Sequence, residues 1–121
     1  MKFKNKKILI TGAASGIGKS LAEEFANEGS ILILSDIDAY KLKVFVNELK
    51  SNGVQAFGYE VNVSDYKNMI DFGNLVIKEH NYIDVLINNA GITLMDTVES
   101  GDIDEFENLM AINFWGVVYG V

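Results

Sequence analysis

Ile8-Leu9-Ile10-Thr11-Gly12-Ala13-Ala14-Ser15-Gly16-Ile17-Gly18 is the stretch that decides the fold of this 121-residue chain. The apolar run Ile8–Thr11 ends in glycine, as a buried strand of a parallel sheet does. From Gly16 to about Glu28 the spacing predicts a helix. Ile17, Leu21 and Phe25 fall at i, i+4 and i+8, and Gly29 is the stop. The glycines between strand and helix permit a tight turn, close approach of a phosphate to backbone, and tight helix–strand contact. The helix N-terminus adds free N–H groups and a partial positive charge.

The same alternation continues outward. Ile31–Ser35 reads as a second buried strand, and Tyr40–Lys50 as a helix with Leu42, Phe45, Val46 and Leu49 in one stripe, closed by Asn52-Gly53. Val54–Val61 reads as a third strand. Ser64 or Asp65 caps a third helix whose stripe is Met69, Phe72 or Gly73, Val76 and Ile77. Ile83–Asn88 is a fourth strand, and Asp102 with Glu105 forms a capping box for a last helix. Strand–helix alternation with right-handed crossovers predicts an α/β fold, a doubly wound parallel sheet with helices on both faces.

Composition narrows the chemistry. The chain has no Cys, no Pro and one His, with 10 basic residues (all Lys) against 17 acids, for a net charge of −7. Disulfides, thiolate zinc sites and iron–sulfur clusters are excluded, and His80 alone makes no His-rich metal site. The acidic balance argues against nucleic acid as a partner. The basic start MKFKNKK leads into only Ile8, Leu9 and Ile10, too short for a signal peptide, and no run reaches membrane-spanning length. The expectation is a soluble, cytoplasmic protein. All ten Lys lie in residues 1–78 with nine acids, and residues 79–121 carry eight acids and no Lys. Such asymmetry fits either an acidic surface or a chain whose balancing half lies further on. Lys2, Lys4, Lys6 and Lys7 read as a solvated N-terminal face, His80 as a solvated helix end, and Phe114 and Trp115 as packing or interface residues.

Gly18-Lys19-Ser20 also resembles the end of a P-loop. That motif requires glycine at position 13, where this chain has Ala, and Gly12 lies one residue too far back. Asp36 points elsewhere. It follows the second strand, 20 residues after Gly16, where a dinucleotide fold places the acid that accepts from the adenosine ribose hydroxyls. A carboxylate there repels a 2′-phosphate, and neither neighbour, Ser15 or Ile37, supplies a cation. NAD is therefore favoured over NADP. Taken alone, Asp36 could also simply begin the turn into the second helix.

With these residues the sequence resembles the short-chain dehydrogenase/reductase family. The resemblance rests on Thr11-Gly12-x-x-x-Gly16-x-Gly18, Asp36, Asn62-Val63, Asn88-Asn89-Ala90-Gly91, and Asn113 within Ile112-Asn113-Phe114-Trp115-Gly116. It implies a Rossmann-type sheet in which Gly12, Ala14, Ser15, Gly16 and Ile17 wrap the pyrophosphate. Asp36 and the adjacent Ile37 would meet the adenosine. Asn62 would contact the adenine amino group, where the family usually has Asp; an amide oxygen still accepts that bond. Val63 would pack on adenine. Asn88 would tie adjacent strands, and Asn89, Ala90 and Gly91 would let the cofactor's ribose pass close to backbone. Asn113 lies in the apolar stripe of the last helix, seven residues beyond Phe106. A buried amide there needs partners. It is either a structural Asn bonded to backbone or, by the resemblance, a catalytic-site Asn that holds a proton-relay water.

The resemblance also implies hydride transfer between a nicotinamide and an alcohol or carbonyl substrate, with a Tyr general acid/base, a Lys four residues later and a Ser. None of the five Tyr has that Lys: Val44, Val63, Ile70 and Leu86 follow Tyr40, Tyr59, Tyr66 and Tyr82, and position 123, four beyond Tyr119, lies past the last residue. The expectation is the N-terminal, cofactor-binding half of a single-domain fold over residues 1–121, inactive by itself. Its strands run 3-2-1-4 of a full 3-2-1-4-5-6, with the outer edge of the fourth unpaired. The complete enzyme would be a homo-oligomer pairing through the helix that begins near Asp102. The alternative is a short NAD-binding module without chemistry.

Overall fold

The computed structural model describes residues 2–62 and 65–89, together with the backbone of 93–94. Its elements are β1 (Lys7–Thr11), α1 (Gly16–Asn27), β2 (Ile31–Asp36), α2 (Ala39–Ser51), β3 (Ala56–Glu60), α3 (Tyr66–His80), β4 (Val85–Asn88) and β5 (Thr93–Leu94). The sheet order is β3-β2-β1-β4-β5, parallel except for β5. This is the 3-2-1-4 order of a Rossmann-type α/β fold.

Side-chain alternation along the strands divides the core into two layers. Ile8, Ile10, Leu32, Leu34, Val85 and Ile87 face α1 and α2, where Ala22, Leu42, Phe45, Val46 and Leu49 meet them. Leu9, Ile33 and Leu86 face the other way, onto Met69, Phe72 and Val76 of α3. Each fully buried Leu or Ile contributes about 1.5–3 kcal/mol of hydrophobic stabilisation. The near-continuous apolar runs of β1 and β2 follow from this, since both faces are covered. The helices begin where short polar residues can cap them: Asp38 accepts from the Lys41 N–H and Asp65 from the Asn68 N–H.

Three expectations are corrected. β3 begins at Ala56, not Val54, because the Val54 N–H closes the end of α2 on the Leu49 carbonyl. β4 begins at Val85 because the Asp84 carboxylate takes the Lys7 N–H (2.8 Å) that a backbone carbonyl would otherwise accept. The outer edge of β4 is not bare: β5 pairs with it antiparallel, Ile87 opposite Leu94 and Asn88 opposite Thr93.

His80 is also not a solvated helix end. It is buried, 6% exposed, because the last turn of α3 lies against the edge strand. Its ring meets Phe57 edge-on at 4.7 Å and its Nε2 is 2.7 Å from the Tyr59 hydroxyl. The Lys7 ammonium reaches the His80 carbonyl and lies over the Tyr82 ring, so this Lys is fastened to the fold and only the other early lysines are exposed. The expected last helix, with Phe106, Asn113, Phe114, Trp115 and Tyr119, falls on residues outside those described.

Candidate functional site

The glycine loop leaves β1 at the carboxyl end of the sheet. Gly12 (φ +63°) and Gly16 (φ +59°) occupy the left-handed region that glycine alone adopts freely. Between them the chain runs along β2: the Ala13 N–H donates to the Ser35 carbonyl at 3.0 Å, and the Ala14 N–H to Asp36 Oδ2 at 2.9 Å. The methyl groups of Ala13 and Ala14 are buried, which leaves Ser15 and Gly16 facing outward.

Gly18 is dictated by contact. A Cβ there would fall 2.1 Å from the Gly12 carbonyl oxygen, so α1 rests directly on the loop that starts it. Asn89 completes the contact: its Nδ2 donates to that same Gly12 oxygen at 3.2 Å. Thr11 links the two segments by donating to Asn88 Oδ1 (3.3 Å) and accepting the Asn89 N–H (3.1 Å). The Thr11 link has a visible signal, a Thr ahead of the first glycine. Its partners, however, lie 77 and 78 residues away.

Ser15 is the N-cap of α1 in extended conformation, yet its side chain makes no capping hydrogen bond. The first-turn N–H groups are thus not taken up by the Ser15 hydroxyl, and a Cβ at Gly16 would meet nothing within 4 Å among the described residues. Donor N–H groups, a helix dipole and open space above glycine suit a pyrophosphate. Beside the loop a groove of ≈ 410 Å³ runs between α1 and α2, lined in part by Ala14, Ser15, Gly16, Lys19, Tyr40 and Lys41. Lys19, which a P-loop would aim at phosphates, instead lies over the Phe45 ring at 5.3 Å. The two lysines are the cations that inspection of Ser15 and Ile37 alone misses, because helix geometry brings them alongside the loop.

Asp36 stands at the centre. Oδ1 accepts the Asp38 N–H and Oδ2 the Ala14 N–H, each at 2.9 Å, while its carbonyl accepts the Val61 N–H. Asn62, one residue on, donates its N–H to Asn68 Oδ1 at 2.6 Å. Ile17, in the first turn of α1, and Ile37, next to Asp36, are exposed apolar side chains. The loop, Asp36, Asn62 and Asn89 are thereby gathered at the carboxyl ends of β1 to β4, the crevice where open α/β sheets take ligands. Val63, Ala90, Gly91 and Asn113 lie outside the described residues. Among the described residues no cluster of metal-ligating side chains forms, and no helix is long and apolar enough to cross a membrane.

The sequence matches the short chain dehydrogenase family over residues 6–121. The chain belongs to that family. It is 34% identical over 117 residues to a diacetyl reductase [(S)-acetoin forming] of Staphylococcus epidermidis, covering 97% of this chain and 46% of that protein. It is 36% identical over 118 residues to the probable oxidoreductase EphD of Mycobacterium tuberculosis, covering 98% and 20%. Among solved structures, a short-chain dehydrogenase/reductase from Burkholderia phymatum in complex with NAD superposes with a TM-score of 0.72 at 26% identity, over 99% of this chain and 44% of that one. An alcohol dehydrogenase from Thermococcus sibiricus complexed with 5-hydroxy-NADP gives a TM-score of 0.64 at 30% identity, over 67% and 35%. This chain therefore spans about half the length, or less, of these relatives.

Proposed function

We propose that this chain is the dinucleotide-binding part of an NAD(P)-dependent short-chain oxidoreductase, with NAD preferred, whose substrate is a small alcohol or carbonyl compound. The observation that carries the reading is the glycine loop fastened to Asp36 at the switch point of the sheet. The uncapped first turn of α1 and the backbone around Ser15, Gly16 and Ile17 hold the pyrophosphate. The Asp36 carboxylate accepts from the adenosine ribose, and Ile37, Asn62 and Val63 border the adenine. Asn89, Ala90 and Gly91 border the second ribose, and Asn113 serves the reaction centre.

The preference for NAD follows from the sign of the charge on Asp36, which a 2′-phosphate would meet at close range. Lys19 and Lys41 in the neighbouring groove soften that discrimination, so NADP is weakened and not excluded. When bound, the nicotinamide supplies the hydride donor or acceptor. Tyr40, Tyr59, Tyr66 and Tyr82 have no Lys four residues later, which supports the reading that residues 1–121 bind cofactor without turning over substrate. The complete enzyme is a homo-oligomer in this reading.

Titration of the chain with NADH, NADPH and Mg-ATP tests it. The expected order is NADH tighter than NADPH, with no ATP binding. Tight Mg-ATP binding without NADH binding overturns the assignment, and hydride transfer that survives removal of contaminating enzyme overturns the claim of inactivity.

A further inference from the structure

We propose that Asp36 is a positioning residue for the glycine loop, holding it in its binding conformation before cofactor arrives, in addition to any contact with ribose. The inference deepens the dinucleotide reading and rests on it for its functional consequence. Its structural content stands separately.

Gly12 and Gly16 both sit in the left-handed region, so the segment between them is flanked by the two most permissive backbone positions of the turn. Two hydrogen bonds fasten that segment to β2 among the described residues. One, from Ala13 to the Ser35 carbonyl, is backbone to backbone and survives any side-chain change. The other, from Ala14 to Asp36 Oδ2, depends wholly on the carboxylate. The carboxylate is itself held, with Oδ1 on the Asp38 N–H and the Asp36 carbonyl on Val61. It is a rigid bracket from β2 to the loop, and Asp36 is only partly exposed.

Bonds from N–H to a carboxylate are shorter and stronger than neutral ones. A carboxylate also offers about four acceptor positions. Ribose hydroxyls can therefore donate to Asp36 while the Ala14 bond remains. Asn cannot copy this arrangement: its oxygen replaces one acceptor, and its NH₂ confronts the remaining N–H donor. A small residue such as Ser removes the repulsion of a 2′-phosphate and releases the loop that must hold the pyrophosphate. Asp36→Ser should therefore lose affinity for NADH without becoming a tight binder of NADPH.

The experiment combines ligand-free amide exchange with binding of two probes, NADH and its 2′,3′-dideoxyadenosine analogue, to wild type, Asp36→Asn and Asp36→Ser. The expected result has three parts. Exchange at the Ala14 N–H accelerates in both variants while Ala13 and the core amide of Leu9 stay protected. The dideoxy analogue, which has no adenosine ribose hydroxyls to offer Asp36, binds both variants about tenfold more weakly than wild type. NADPH does not overtake NADH in Asp36→Ser. Equal affinity of all three proteins for the dideoxy analogue, or unchanged Ala14 exchange, overturns the positioning role. Failure of wild type to bind NADH at all overturns the dinucleotide reading instead, and Ala14 exchange then decides the bracket by itself.

Discussion

The hydroxyl of Tyr59, on the edge strand β3, lies 2.7 Å from Nε2 of His80 in the last turn of α3 and 2.5 Å from Oε1 of the adjacent Glu79. An ionised carboxylate only accepts, so Tyr59 donates to Glu79 and the neutral His80 ring donates to Tyr59 through Nε2–H. One hydroxyl thus joins the outermost strand to the helix that covers it. Burial, then the bond to Glu79 and its charge, push the Tyr59 phenol well above its ordinary range, so it remains protonated. Removing this hydroxyl in Tyr59→Phe leaves the buried His80 nitrogen unpaired and should cost about 1–2 kcal/mol. Urea denaturation measures it; an unchanged midpoint means that the link stabilises nothing.

His80 also gives the fold a pH dependence of definite sign. Burial lowers its pKa below the ordinary 6.5, with the Lys7 charge adding to the effect and Glu79 opposing it. In the unfolded chain the imidazole takes a proton that the folded protein refuses. Stability is therefore fully present above about pH 6.5 and is lost as pH falls from there through the lower folded-state value. Comparing urea midpoints at about pH 8 and about pH 5.5, wild type should lose more stability than His80→Phe. Parallel losses would assign the pH dependence to other groups.

Two glycine substitutions should separate contact from conformation. Gly18→Ala drives a methyl into the Gly12 carbonyl, a backbone atom that cannot swing aside. The expected cost is about 2–3 kcal/mol, with loss of NADH binding as the loop shifts. Gly16→Ala meets open space and suffers only from its positive φ, at about 1 kcal/mol. Thermal or urea unfolding ranks the pair, and a Gly16→Ala cost equal to or above that of Gly18→Ala contradicts the geometry.

Ser35 offers a substitution in the favourable direction. Its hydroxyl is completely buried on β2 and has no hydrogen-bond partner among the described residues. Ser35→Ala removes a desolvated polar atom at the cost of one small void, and should be neutral or stabilising by up to about 1 kcal/mol. A clear drop in the urea midpoint would reveal that the hydroxyl is in use.

Thr11→Val keeps shape and deletes a donor to Asn88 and an acceptor for the Asn89 N–H. The expected loss is about 1–3 kcal/mol, accompanied by weaker NADH binding, because Asn89 also braces the Gly12 carbonyl. Unaltered stability together with unaltered NADH affinity would show that Asn89 holds its place without Thr11.

The sequence by itself determined the element order from β1 through β4, the division of the core into two layers and the position of the loop. Those features are written in apolar runs of strand length, in helical periods of 3.6 residues and in a glycine spacing within one turn. Parallel connectivity with right-handed crossovers then leaves little choice of strand order. The motif residues Gly12, Gly16, Asp36 and Asn89 were legible in the same way, as types at fixed separations. Tertiary structure decided what those residues touch. Asp36 reaches back 22 residues to Ala14, and Tyr59 reaches forward 21 to His80, turning an apparently solvated His into a buried one. Helix packing set Lys19 and Lys41 beside the loop, and β5 folded back onto an edge that local pattern leaves open. Hydrogen bonds and electrostatics act through space at about 3 Å, whatever the distance along the chain, so these contacts had no local signature to read.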